Sequence, residues 1–361
     1  MDRLPLEILS SIYVISVPIP PCTISFDRVH PLRDRIRSLN LLRSVSKRWN
    51  NAILNTPQLW SYIEVSATTG DPRLLLKRSK AVPLHVRIKF GIGQTDSSFR
   101  DAVKAVWATA NRWKTYMGVG YVFGSSLRLL PPCSLPNVEE VWLAGFVGND
   151  HPTIQAPRMK KLVECSSTPT FGTAGAPTLK RWHTAFPVNR LEWERLIQVV
   201  QLCPSLEFVE FVHTEYTPPA VLASGLTQVA DYILFPALKK LVMDPATRRF
   251  DFLPYVRAPQ LDRIVFQHYK DFFPFPIPSS STCPNLSRIQ FVGASGFRAI
   301  QEWVLTVPKE ISERVGVEIE YHQQRNAAGA YEPVIADLDS LWRPWFDKQF
   351  PVKWITVISP S

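Results

Sequence analysis

Pro136-Asn137-Val138-Glu139-Glu140-Val141-Trp142-Leu143 runs proline, any residue, apolar, two polar residues, apolar, any residue, apolar. The order returns after Pro157 (Met159, Leu162), Pro177 (Leu179, Trp182), Pro204 (Leu206, Val209, Phe211), Pro236 (Leu238, Leu241, Met243), Pro259 (Leu261, Ile264, Phe266) and Pro284 (Leu286, Ile289, Phe291). Successive prolines stand 21, 20, 27, 32, 23 and 25 residues apart. Proline accounts for 32 of 361 residues, well above the usual ~5%. Glycine stands at only 15, so the chain is neither collagen nor a flexible linker. Proline at the mouth of a strand forfeits no ladder donor that matters and stiffens the turn leading in. Apolar residues two apart point to one side of a short strand. One such strand cannot bury its face alone, so neighbouring copies must stack in parallel and share a core.

The period resembles that of leucine-rich repeats, 20–29 residues with an L-x-x-L-x-L opening. Helical spacing fills the gaps: Phe99, Val103, Val106, Trp107, Ala110 and Trp113; then Trp193, Leu196, Ile197, Val200 and Cys203; later Ile300, Val304 and Val307. Pro83 to Phe90 alternates strictly and reads as an early strand, and Val315 to Tyr321 as the last. Leu338, Leu341, Trp342 and Trp345 suit a helical cap. The expected fold is α/β: a curved solenoid with a parallel sheet over residues 66–325 and a C-terminal cap over 326–361. The repeat is degenerate. Where a regular copy places Asn or Cys, this chain has Phe146, Thr214, Ala246, Tyr269 and Ala294. Glu164 and Thr184 occupy positions where an apolar residue belongs. A β-propeller would show a four-strand period, and an ordinary α/β domain would not explain seven copies.

Ahead of the repeats, Leu4-Pro5-Leu6-Glu7-Ile8-Leu9 opens a short helix, with Pro5 in the first turn. Ile8, Leu9 and Ile12 are read onto one face, and Pro18 to Pro21 stop the helix. Leu39, Leu42, Val45, Trp49 and Ile53 recur at steps of three and four, as one second helix ended by Thr56-Pro57. Its other face carries Arg43, Lys47, Arg48 and Asn50. Leu59-Trp60 and a strand-like Ile63, Val65 follow.

Leu4-Pro5 with Glu7-Ile8-Leu9, then Leu41 to Trp49, then Thr56-Pro57-Gln58-Leu59-Trp60 resemble an F-box of the fungal type. The resemblance covers residues 1–65 and departs from the family in a long insertion at about 14–38. That insertion contains Pro18, Pro20, Pro21, Cys22, Arg28, Arg33, Arg35 and Arg37. The resemblance implies a helical docking module for a Skp-type adaptor and, through it, a cullin-based ubiquitin ligase. It assigns adaptor contact to Leu4, Pro5, Ile8, Leu9, Leu42, Val45, Trp49, Leu59 and Trp60. A unit of this size has little core of its own. Exposing such residues is tolerable only beneath a partner or the next domain. The other reading of the same residues is the core of an N-terminal helical cap.

The net charge is +10 and unevenly placed: residues 1–90 hold 14 Lys/Arg against 6 Asp/Glu. A basic module attracts acidic partners. The 5 cysteines form no C-x-x-C pair, which suits a reducing compartment without a disulfide framework or zinc site. The N-terminus lacks the pattern of a signal peptide, and no apolar run is long enough to span a bilayer. A cytoplasmic or nuclear protein is expected. No nucleotide-binding, metalloprotease or nucleophile-elbow motif is present, so neither catalysis nor a cofactor or metal is expected. Asp150 with His151, and His213 with Glu215, read as surface pairs. The Asn285 sequon opens a repeat in a chain read as having no secretory signal. Nucleic acid is disfavoured, because the Arg28 to Arg37 cluster has only Phe26 beside it.

On each repeat strand, the residue before the second apolar position points away from the core. Those residues are Glu140, Lys161, Arg181, Phe208, Lys240, Arg263 and Arg288. Two residues on lie Trp142, Val163, His183, Glu210, Val242, Val265 and Gln290. Lys161, Arg181, Phe208, Lys240, Arg263 and Arg288, with Trp142 and His183, are the candidate client contacts. They form either a basic ladder for an acidic or phosphorylated peptide or a solvated strand face. The expected function is substrate recognition within a ubiquitin ligase, without enzymatic activity. The alternatives are a repeat scaffold that recruits no ligase, and a basic module for nucleic acid or lipid.

Overall fold

The computed structural model describes residues 4–17, 19, 31–66, 68–91, 97–123, 133–147, 153–165, 170–171, 176–185, 190–212, 232–243, 253–267, 278–292, 314–320 and 355–358. The chain divides into two compact units, Met1–Leu179 and Lys180–Ser361.

The first unit opens with helices α1 (Leu6–Ser16), α2 (Pro31–Ser44) and α3 (Lys47–Leu54). The expected single second helix is two. Ser46 breaks it: its backbone is extended, and its side chain accepts the Trp49 N–H as an N-cap. Both helices still turn an apolar stripe inward, which is why the sequence spacing runs across the break. The expected insertion is also partly helical, since α1 continues to Ser16 and α2 begins at Pro31. Leu9, Tyr13, Val17, Leu39, Ala52, Ile53, Leu59 and Trp60 form the core of this head.

Strand β1 (Tyr62–Val65), helix α4 (Arg73–Arg78), strand β2 (Leu84–Phe90), helix α5 (Ser97–Trp107) and strand β3 (Trp113–Phe123) follow. Trp113 begins a strand, not the last turn of the helix read from Phe99 onward. Next come β4 (Cys133–Ser134), β5 (Glu140–Val147), β6 (Thr153–Gln155), β7 (Lys161–Cys165) and β8 (Thr170–Phe171). Strands β1, β2, β3, β5 and β7 pair in that order, all parallel. Strands β4, β6 and β8 make a second small parallel sheet.

The second unit contains β9 (Arg181–Ala185), α6 (Arg190–Leu202), β10 (Phe208–Val212), β11 (Ile233–Leu234), β12 (Lys240–Met243), β13 (Val256–Arg257), β14 (Arg263–Gln267), β15 (Arg288–Val292), β16 (Gly316–Glu320) and β17 (Ile355–Ile358). Strands β9, β10, β12, β14, β15, β16 and β17 pair in that order, again all parallel. Strand β16 is therefore not the last. The expected helix around Ile300 to Val307, the Leu338 to Trp345 cap helix, and Thr214, Ala246, Tyr269 and Ala294 lie outside the described residues. The protein is α/β, with N-terminal helices and long parallel strand runs, an arrangement consistent with a leucine-rich-repeat-like solenoid.

The recurrent prolines act one step earlier than expected. Each sits second in a tight turn that ends before the strand. Within these turns Met159 N–H donates to Ala156 O at 3.0 Å, Leu179 to Ala176 at 2.9 Å, Leu206 to Cys203 at 3.2 Å and Leu261 to Ala258 at 3.0 Å. Proline's fixed φ suits that second position. The residue before each proline (Leu135, Ala156, Ala176, Cys203, Phe235, Ala258, Cys283) is buried. Each repeat strand then starts four residues after its proline. On the core side of the second unit, Trp182, Val209, Leu241, Ile264 and Ile289 align in register and are buried throughout. Burying a large apolar side chain stabilises by about 1.5–3 kcal/mol. Phe266 and Phe291 stack one layer on, with centroids 5.4 Å apart. Glu164 in the first unit and Thr184 in the second are each buried where the repeat calls for an apolar residue, as the sequence pattern indicates.

Candidate functional site

The head presents apolar residues on two sides. Leu9 and Tyr13 of α1 face the core, while Ile8, Ile12 and Ile15 lie on the neighbouring face, 47%, 43% and 79% exposed. Helical geometry explains the separation: positions i, i+4 and i+7 share a face, and Leu9 stands about 100° away from Ile8. Reading Ile8, Leu9 and Ile12 as one face is thus corrected. On α2, Leu39 is buried and Leu41 exposed, and Val45 at the α2–α3 break is also exposed.

Of the residues assigned to adaptor contact, Pro5, Ile8 and Val45 are exposed, and Leu4, Leu42 and Trp49 are half-buried. Leu9, Leu59 and Trp60 are core residues with side chains closed to any partner. Trp49 packs on Tyr13 with ring centroids 5.2 Å apart. Trp60 donates its indole N–H to Ile53 O at 2.9 Å and lies beneath the Arg78 guanidinium at 4.5 Å. Arg48 donates to Leu4 O, tying the chain start to α3. Arg35 is buried and donates to Val17 O and Leu59 O. Burial holds the pKa of its guanidinium at about 10. Ile12, Ile15 and Leu41 were not assigned to the contact surface. The signal that finds them is that α1 is apolar nearly all round, so it has more greasy faces than one core can use.

The rows read from the repeat pattern exist. In the second unit Arg181, Phe208, Lys240, Arg263 and Arg288 are register partners on successive strands. Lys161 stands in the first unit beside Glu140. Parallel strands lie ~4.8 Å apart, so the residues of this row follow one another one strand spacing at a time. Lys240 Nζ sits 5.7 Å over the Phe208 ring. Burial, and then neighbouring Arg263, push its pKa down. Arg288 is partly neutralised by Asp262 at 3.6 Å and Glu318 at 3.5 Å. In the next row, His183 Nδ1 lies 2.5 Å from Glu210 Oε2. That hydrogen bond holds the Glu210 carboxyl below the usual range, against the opposing effect of burial. Lys161 Nζ caps the Trp142 ring at 4.5 Å. Val242 and Val265 in this row are buried and present nothing to a client.

A third row, one residue earlier, was not read from the sequence. Lys160 pairs with Glu139 at 3.3 Å. Lys180 and Lys239 flank Glu207 at 3.3 and 3.2 Å. Their hydrogen bonds lower the Glu207 pKa. Glu139 offsets Lys160 in the first unit, while in the second Glu207 offsets one of its two flanking lysines, so that row stays weakly basic.

No protein-family model matches the chain, and no curated protein matches it. Chemistry is equally sparse. Among the described residues no group of three or more His, Cys, Asp or Glu could hold a metal ion. No helix there is long and apolar enough to cross a membrane.

Proposed function

We propose that the chain is a substrate-recognition adaptor of a cullin-type ubiquitin ligase, itself without catalytic activity. The head docks on a Skp-type adaptor, and the strand rows of the second unit hold a client protein. The observation that carries this reading is the Ile8, Ile12, Ile15 stripe, with Leu41 and Val45, on helices that already have a complete core on their other side. Water-exposed isoleucines at helical spacing gain nothing for the fold, while a partner groove would bury them. Motif order and the +10 charge, concentrated near the N-terminus, agree with an acidic partner. The test is binding of the purified full chain to a purified Skp-type adaptor. Wild type binds, and the double variant Ile8→Asp, Ile12→Asp does not. Absence of wild-type binding rejects the ligase reading.

A repeat scaffold with an N-terminal cap is the second reading. It is supported by Trp60 and Arg78, which join the helical head to α4. Under that reading the same double variant leaves every partner interaction intact.

A further inference from the structure

The outward row of the second unit keeps its cations apart from the fold's own carboxylates. Arg181, Phe208, Lys240, Arg263 and Arg288 are register partners on β9, β10, β12, β14 and β15. Each points away from the interior, because the residue after it (Trp182, Val209, Leu241, Ile264, Ile289) is buried. Arg181 and Arg288 are exposed, and Phe208, Lys240 and Arg263 half-buried, so the row is open to solvent. Four of its five residues are cations and none is an acid. Arg288 meets Asp262 and Glu318. Among the described residues no ion pair or side-chain hydrogen bond reaches Arg181, Lys240 or Arg263.

The neighbouring rows are arranged otherwise. One residue earlier, Lys180 and Lys239 share Glu207. In the next row Glu210 is held by His183 at 2.5 Å. The fold thus flanks the row with carboxylates and places none within it. Like charges side by side on adjacent strands are destabilising, yet Lys240 and Arg263 are direct partners. The geometry also selects among anions. A phosphate group is held by several donors gathered around one point, whereas these cations stand one per strand in a line. A nucleic-acid base stacks on an open aromatic face, but the Lys240 ammonium lies 5.7 Å over the Phe208 ring and His183 packs against it at 5.2 Å. Single cations in a line match single anions in a line, as in a run of Asp and Glu side chains.

We propose that the client segment held by this row is an acidic stretch of protein, rich in Asp and Glu and needing no phosphorylation. Arg181 and Arg263 take its carboxylates through two parallel N–H donors each, and Lys240 between them takes one as a point charge. The inference rests on the client-binding half of the proposed function and names the client's chemistry. It is independent of adaptor docking, because none of these residues belongs to the α1 or α2 stripes.

The test is fluorescence anisotropy of the full chain with labelled oligoglutamate, a neutral Gly-Ser peptide, the same peptide carrying one phosphoserine, and oligothymidylate. Saturable oligoglutamate binding is expected, with the neutral and phosphoserine peptides at least about tenfold weaker. Arg181→Glu with Arg263→Glu weakens oligoglutamate by about tenfold or more, and Arg181→Gln with Arg263→Gln by about threefold. Should the reversal fail to fold, the glutamine pair alone decides. Both pairs leave binding to a Skp-type adaptor at the wild-type level. No saturable oligoglutamate binding, or binding that neither pair diminishes, overturns the proposal while adaptor binding stands. Oligothymidylate bound as tightly as oligoglutamate overturns it in favour of nucleic acid, and the phosphoserine peptide bound as tightly overturns it in favour of a phosphorylated client. Oligoglutamate capture that depends on Arg181 and Arg263, without adaptor binding, upholds the acidic-client surface and rejects only the ligase.

Discussion

The Trp60 indole N–H donates to the Ile53 carbonyl at 2.9 Å, fastening the turn after Pro57 to the end of α3. The ring fills the head's core, so this residue acts through packing and not through a partner. Trp60→Phe keeps most of the volume and removes the indole donor, leaving the Ile53 carbonyl with the Thr56 N–H at 3.3 Å, a loss of about 0.5–1.5 kcal/mol. Trp60→Ala loses about 3–5 kcal/mol. Urea unfolding of both variants checks this; a Trp60→Phe midpoint equal to wild type would show the bond to be without net value.

Neighbouring faces of α1 make a sharper contrast. Leu9→Ala empties a core position and destabilises by about 2–5 kcal/mol. Ile12→Asp and Ile15→Asp, on the exposed stripe, shift stability by no more than about 0.5 kcal/mol, yet abolish Skp-type adaptor binding under the ligase reading. Thermal melts and binding isotherms on the same three proteins separate the effects. A large stability loss in Ile15→Asp would mean the stripe is already packed.

Why some of this was legible and some not follows from what periodicity can encode. Pro259, Leu261, Ile264 and Phe266 specify turn, anchor and two inward strand positions, so strand β14 and its register follow from spacing alone. Two-residue strands such as β4 and β11 are too short to show any alternation. Leu9 and Ile8 are chemically alike, and only the arrival of α3 against one side decides which is core. The break at Ser46 was hidden because the inward stripe continues on both sides of it. Arg87 sits in the strictly alternating stretch Pro83 to Phe90, and alternation does not show that both faces of that strand are buried at this point.

His85 makes stability sensitive to acid. Its Nδ1 meets Thr115 Oγ1 at 3.0 Å. Burial first, then the charges of Lys114 and Arg35, lower its pKa from 6.5 to about 4, against a smaller upward pull from Glu140. The unfolded chain therefore takes up a proton below 6.5 that the folded chain refuses until about 4. Stability falls as pH falls through that window. His85→Gln removes the titration and retains a hydrogen-bonding side chain. Its melting temperature is expected to drop less than wild type between pH 7 and pH 5. Equal drops would assign the acid sensitivity of that window to groups other than His85. Glu210 acts lower: its pKa, lowered mainly by the His183 hydrogen bond, withdraws stability only as pH falls through and below the ordinary carboxylate range.

The turn prolines act on the unfolded chain. Pro259 precedes Leu261, whose N–H donates to Ala258 O at 3.0 Å, and the missing proline N–H is not needed there. Pro259→Ala frees the unfolded backbone and is expected to destabilise by about 0.4–1 kcal/mol, with the native contacts unchanged. Ala258→Leu at the buried position just before it overpacks the interior, at about 1–3 kcal/mol. Denaturant midpoints that rank the two the other way would show that the proline holds native structure directly.

The basic row of the second unit gives a graded prediction because its members are not equally committed. Arg288 already meets Asp262 and Glu318, so little of its field is left for a client. Burial first, and then the charge of Arg263, lower the Lys240 pKa, and an acidic ligand would offset the second of these. For a fluorescent oligoglutamate peptide, Arg263→Gln and Lys240→Gln should each weaken binding by more than Arg288→Gln. Exposed pairs of this kind contribute about 0.2–1 kcal/mol each. Binding should also fall with added salt, since charges open to solvent, even partly, are screened over ~10 Å at 0.1 M. The triple reversal Lys240→Glu, Arg263→Glu, Arg288→Glu should abolish it. If the triple reversal binds oligoglutamate as wild type does, the row is a solvated strand face and the client lies elsewhere.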